Sequence, residues 1–154
     1  MAVIDATDLG AFTKQYAELR KQDLEKTSRG FFVNLSTNII LDTPVGDPKY
    51  WKSKAPTGYV GGRARNNWFA SISSPSTETT NSKGAKGTAA IKRVGEVSKA
   101  HKIGVDMFLT NNQPYIRRLE FEGWSRQAPV GMVRKNLTKA ENALKQAVLD
   151  LKGK

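Results

Sequence analysis

At 154 residues, with 38% hydrophobic and 25% charged side chains, the chain is long enough for one domain with its own core, because a chain of this size buries roughly 70% of its unfolded surface. No apolar run approaches the ~20 residues of a membrane helix, and the opening MAVIDATDLG lacks the basic and apolar regions of a signal peptide, so a soluble protein made in a cytoplasm is expected. The absence of cysteine excludes disulfides, thiol nucleophiles and cysteine-ligated metals.

The net charge of +11 is unevenly spread: residues 44–103 carry 11 Lys/Arg against 3 Asp/Glu, and residues 132–154 carry 6 against 2. The segments 1–43 and 104–131 are close to balance. Such a field attracts polyanions or acidic protein faces without choosing between them. A solvated basic surface is the alternative.

Leu9, Phe12, Tyr16 and Leu19 recur at helical steps and predict a first helix whose apolar stripe is core, with Thr7 or Asp8 as its cap. Phe31, Phe32, Leu35, Ile39 and Ile40 form a second apolar set beyond Gly30, giving one long kinked helix or two in tandem, stopped by Pro44 and Gly46. Residues 44–67 read as a long loop, of a length that tends to be functional or disordered. Alternation over Asn67–Ser74 predicts a half-buried strand. The polar run 74–88 reads as a mobile loop. Thr88 is the expected cap of a short helix with Ile91, Val94 and Val97 on one face, and Ile103–Leu109 alternates as the clearest strand. Beyond Pro129, residues Val133, Leu137, Ala140, Leu144, Val148 and Leu151 fit an amphipathic C-terminal helix. The order predicts one α+β domain over 1–154: a long N-terminal helix and a C-terminal helix packed on a small, mainly antiparallel sheet, with long loops.

Catalytic chemistry finds little material. His101 is the sole histidine and reads as a solvated or helix-end residue, and one histidine without cysteine cannot assemble a zinc site of three or four ligands. Glu120 and Glu122 have Arg117, Arg118 and Arg126 close in sequence, so salt bridging is favoured over a carboxylate pair. The GYVGG run at 58–62 lacks the lysine and hydroxyl of a phosphate loop. No catalytic residue, cofactor or metal is expected. Lys49, Tyr50, Trp51, Lys52 and Lys54 interleave cations and aromatic rings, a pattern used to stack single-stranded bases, and a nucleic-acid-binding module built on the 44–67 loop is the alternative function.

Two further segments bear on function. Thr43-Pro44-Val45-Gly46 with Gly58-Tyr59-Val60-Gly61-Gly62-Arg63-Ala64-Arg65-Asn66-Asn67-Trp68 is the first. The second runs Asn112-Gln113-Pro114-Tyr115-Ile116, Leu119-Glu120, Gly123-Trp124-Ser125, Gln127-Ala128-Pro129 and Gly131-Met132-Val133. Together they resemble the tailed-bacteriophage tail-completion proteins, also called neck or head–tail joining proteins. Many members carry a short Thr-Pro-Val-Asp-Thr-Gly turn where this chain has a longer insert. The resemblance implies a structural virion protein assembled in the host cytoplasm, with copies forming a sixfold ring. It implies as partners the tail terminator or tail tube protein, the head–tail connector, and passing contact with genomic DNA, but no membrane.

Within these segments Pro44, Gly62, Trp68, Pro114, Tyr115, Leu119, Gly123, Trp124 and Pro129 read as structural. Pro114 would break a preceding strand, Gly123 would take a backbone conformation closed to other residues, and Pro129 would suit the first turn of the last helix. Trp68, Tyr115, Leu119 and Trp124 are expected in or near the core. Tyr50, Trp51, Tyr59, Arg63, Arg65, Arg117, Arg118, Glu122 and Arg126 are the expected exposed contacts to neighbouring subunits or neck partners.

Overall fold

The computed structural model describes residues 6–50 and 54–152, with side chains for 10–49 and 54–142. Helix α1 (Ala6–Asp42) is followed by a 3-10 turn (Pro48–Tyr50), a one-turn helix α2 (Arg63–Asn66) and strand β1 (Trp68–Ile72). Helix α3 (Thr88–Ser98), strand β2 (Met107–Asn111), a short helix α4 (Ile116–Phe121) and helix α5 (Val133–Lys152) complete the order. The two strands pair antiparallel, from Trp68 opposite Asn111 to Ile72 opposite Met107. The architecture is the expected α+β, and the 44–67 segment contains two short helical turns rather than being loop throughout.

The core is small and lies at the C-terminal end of α1. Ile39 and Ile40 meet Trp68 and Ala70 of β1, Ala90 and Val94 of α3, and Met132. Half-buried Ile116 and Leu119 of α4 pack against it. Strand β1 is covered on both sides at its start, since Trp68, Phe69 and Ala70 are all buried. A half-exposed strand was expected there. The second strand starts later than its alternation suggested, because residues 103–106 form a turn in which Ile103 and Val105 are exposed.

Helix α1 runs unbroken through Gly30 for 37 residues, about 55 Å at 1.5 Å per residue. Its first apolar stripe is not core: Phe12, Tyr16 and Leu19 are 64%, 50% and 53% exposed, and Phe31 is also exposed. Every described side chain from 10 to 24 is exposed. Phase explains part of this. At ~100° per residue, Phe12 and Ile39 stand about 180° apart on the helix, so both sets cannot face one core. The helix meets the body at Glu25 and Arg29, where the Arg29 guanidinium donates to the His101 carbonyl and Glu25 accepts from the Ile103 N–H. The expected caps Thr7 and Asp8, and Leu9, lie outside the described side chains.

At α3 the residue before the helix is Gly87, and no side chain caps the start. Thr88 instead begins the helix. Pro129 sits in the turn before α5, which opens four residues later than expected at Val133.

Candidate functional site

The two segments that carry the family resemblance meet around the C-terminus of α1. The Thr43 hydroxyl donates to the Ile39 carbonyl at 2.7 Å and accepts the Trp68 indole N–H at 2.8 Å, in a fully buried setting. Pro44 is buried beside it. Arg65 donates to the Leu41 carbonyl at 2.7 Å, the Thr43 carbonyl at 2.8 Å and the Ala85 carbonyl. Those carbonyls include ones a helix end leaves without intrahelical partners, so Arg65 is the C-terminal cap of α1. That corrects its reading as an exposed contact. From the second segment, Gln127 accepts the Val45 N–H at 3.1 Å and donates to the Val45 carbonyl at 2.9 Å.

Glu120 holds the start of α5. Its buried carboxylate accepts the backbone N–H groups of Met132, Val133 and Arg134 at 2.8, 2.9 and 3.0 Å, together with Arg134 Nε at 3.2 Å. The Arg134 guanidinium also donates to the Glu120 carbonyl. Burial pushes this carboxyl up, but the three backbone donors and Arg134 outweigh burial and hold it below its ordinary value. An anion on the unpaired N–H groups of a helix start is stabilised by them and by the helix dipole. The ion pair expected here therefore exists, but with Arg134 and not with Arg117, Arg118 or Arg126. Gly131 makes it fit. Its φ is +82°, and a Cβ there would stand 2.5 Å from the Glu120 carbonyl oxygen.

Side-chain amides tie down the run 74–88, which was expected to be mobile for want of apolar anchors. Asn67 accepts the Thr80 N–H at 2.8 Å and donates to the Thr80 carbonyl at 2.9 Å. Asn66 donates to the Gly84 carbonyl, and Asn112 to the carbonyls of Ser76 and Glu78. Gly62, with φ +93°, lies against the Gly84 carbonyl, which any Cβ would strike.

Of the remaining signature residues, Gln113, Ala128 and Met132 are buried, while others reach the surface. Pro114 follows β2 and precedes α4, Tyr115 is half-buried, and Gly123 has φ +61° as expected. Trp124 is not core: it is 59% exposed, with the Arg118 guanidinium 4.5 Å above its ring. Phe121, 60% exposed, carries Arg134 at 5.0 Å in the same manner. Between α4, α5 and the sheet edge opens an apolar cleft of about 220 Å³, lined by Trp68, Ile116, Phe121, Met132, Arg117 and Arg134 among others. Arg117, Arg118, Glu122 and Arg126 are exposed, as expected. Arg63 is exposed and its charge reaches the Tyr115 phenol, which burial nevertheless pushes upward, and Tyr59 is half-buried nearby. Of the expected contacts, Tyr59 and Arg63 thus lie by the Tyr115 phenol, and Arg117, Arg118 and Glu122 lie on α4 and at its end. Arg126 joins neither through a described contact. Trp51 and the Tyr50 side chain lie outside the described residues.

Sequence reasoning missed Phe121 and Arg134 as surface residues of this face. The signal was faint: on a six-residue helix, Phe121 falls off the face that holds Ile116 and Leu119. His101 was expected in solvent or at a helix end; it follows α3 but is buried, its Nε2 within 3.2 Å of the Ser28 hydroxyl. Two of the basic residues in the middle of the chain are also committed inward. Arg65 serves the carbonyls above, and Arg93 donates to the carbonyls of Asn66 and Trp68 while stacking on Phe69 at 4.2 Å. Among the described residues no group of three His, Asp or Glu side chains could hold a metal ion, and no helix is long and apolar enough to cross a membrane. No family model, curated protein or solved structure matches the chain.

Proposed function

We propose that this chain is a structural virion protein of the phage neck, whose copies close a sixfold ring that completes the tail and joins it to the head connector. The observation that carries the reading is the bare half of α1. Residues 10–24 are exposed on every side yet display Phe12, Tyr16, Leu19 and Leu24. A helix of this length without tertiary packing is marginal in water, and a stripe of large apolar side chains left to solvent marks a protein–protein contact. A chain that builds such an element is made to be completed by a neighbour.

The motif residues support the same reading from another side. Thr43, Trp68, Glu120 and Gln127 satisfy backbone groups and one another, so their chemistry is spent on shaping the body. What that body offers outward is arginine and aromatic surface, the composition of interface anchors. The nucleic-acid alternative draws on the basic middle segment, but Arg65 and Arg93 are spent on internal carbonyls. Interrupting the gene in its phage is the test. Filled heads and separate tails should accumulate, and the purified protein should form sixfold rings in electron micrographs. Normal joining without the chain would overturn the proposal.

A further inference from the structure

We infer that His101 closes an acid-sensitive latch: with Glu25, Ser28 and Arg29 it holds the middle of α1 against the turn after α3, and protonation of its ring opens that contact. The inference concerns the single chain and does not rest on the ring reading.

The contact is polar and separate from the core. Arg29 donates to the His101 carbonyl through Nε at 3.1 Å and through a terminal nitrogen at 2.7 Å, and the Ser28 hydroxyl lies 3.2 Å from His101 Nε2. The Glu25 carboxylate accepts the Ile103 N–H at 3.3 Å and Arg29 at 3.1 Å, and pairs with Lys102 at 3.5 Å. The core holds α1 only from Phe32 onward, and Gly30, a weak residue in a helix interior, stands between that anchor and this one. With the latch open, no described hydrogen bond, ion pair or core contact joins residues 10–29 to the body.

The site is built for the neutral ring. His101 is 4% exposed, and its Nδ1 is buried with no hydrogen-bond partner. A neutral imidazole can leave one nitrogen as a bare lone pair while the other shares a hydrogen with Ser28. The imidazolium carries N–H on both, and a buried donor without an acceptor loses its water for nothing. Charge acts in the same direction. Arg29 from α1 and Lys102 from the turn are cations beside the ring, and Glu25, the carboxylate of the cluster, already serves three donors. On α3, Glu96 pairs with Lys99 at 2.9 Å, and Asp106 at the end of the turn is exposed. Burial pushes the Glu25 carboxyl up, but the Ile103 N–H, Lys102 and Arg29 outweigh burial and hold it below its ordinary value. Glu25 therefore stays charged where a histidine titrates. The closed latch excludes the proton, whereas the open form takes it up at the ordinary imidazole value, about 6.5. Closure is at full strength above that value and weakens as pH falls through it.

Hydrogen exchange at the Ile103 amide tests this in the full chain. Its protection, taken relative to the unstructured rate at each pH, should fall about tenfold from pH 7.5 to pH 5.5, which is what uptake of one proton near 6.5 gives. Unchanged protection in wild type would overturn the inference. Protection equal to that of the β1–β2 ladder at both values would do so too, because the contact would then open only with the whole fold. His101→Gln keeps a polar group for Ser28 but cannot take the proton, so its protection should be the same at both values. A tenfold fall persisting in that variant would assign the response to another group. Glu25→Gln decides the matter if His101→Gln is unprotected throughout. It keeps an acceptor for Ile103 and should retain the tenfold fall, and its loss would make Glu25 the trigger and overturn the role of His101.

Discussion

Gln127 gives Val45 the two hydrogen bonds that a neighbouring strand would give, accepting its N–H at 3.1 Å and donating to its carbonyl at 2.9 Å across 82 positions of sequence. The loop after α1 is thereby fastened to the turn before α5. Gln127→Ala should cost about 1–2 kcal/mol, because both Val45 groups lose a partner but can partly recover water. Gln127→Glu keeps the acceptor and loses the donor, so it should fall between. Urea unfolding of the two variants checks the order; equal midpoints for Gln127→Ala and wild type would remove the staple.

Arg65 ties the Leu41 and Thr43 carbonyls at the end of α1 to the Ala85 carbonyl before α3, and lysine cannot match it, because its three donors sit on one nitrogen instead of being spread over a planar fork. Arg65→Ala should destabilise by roughly 2–4 kcal/mol, on the scale of several hydrogen bonds to a charged group. Arg65→Lys should recover less than half. Thermal unfolding measures both, and a variant that keeps wild-type stability but loses partner binding would return Arg65 to the surface.

Glu120 ties stability to acid. Its folded-state pKa lies below the ordinary value despite burial. The carboxylate therefore contributes its full stability above the unfolded value, about 4.3, and loses it as pH falls through the lower folded value. Asp42 shifts in the same direction, with its Asn136 and Lys135 hydrogen bonds outweighing burial, so Glu120 accounts for only part of the slope. Glu120→Gln should be about 1–3 kcal/mol less stable at neutral pH, and the gap to wild type should narrow as pH drops through that window. A constant gap from pH 7 to pH 3 would show that the charge contributes nothing.

The fold class and the helix positions could be read from hydrophobic periodicity, as could the outward arginines of α4. The core end of α1 could not be separated from its bare end by periodicity alone, because both carry apolar residues at helical spacing. The opposition of Phe12 and Ile39 was present in the sequence as 27 intervening steps, but interpreting it required knowing that the helix passes Gly30 unbroken. Trp124 and Arg65 misled for a related reason. Residue type suggests a tryptophan inside and an arginine outside, while the position of helix ends decides which guanidinium has carbonyls to meet. The amide staples left no periodic trace, since one asparagine in the right place does the holding.

Asn67 and Thr80 repeat the Gln127–Val45 arrangement, and here the amide is buried. Asn67 also donates to the Arg63 carbonyl at 2.7 Å, so one side chain joins α2 to the loop that precedes α3. Asn67→Ala should cost about 2–3 kcal/mol, more than Gln127→Ala, because the groups it abandons are screened from water. Asn67→Asp should do no better. It keeps the acceptor for the Thr80 N–H, but it turns a carboxylate toward the Thr80 and Arg63 carbonyls, which have no proton to offer. The local consequence is the sharper measurement. In wild type the Thr80 amide should exchange slowly with solvent although it lies outside any helix or strand. In Asn67→Ala it should exchange at least about tenfold faster, as a loss of ~1.4 kcal/mol in local opening requires, while amides in the β1–β2 ladder follow only the change in global stability. Fast exchange of Thr80 in wild type would mean that the run 74–88 is as loose as its composition suggests.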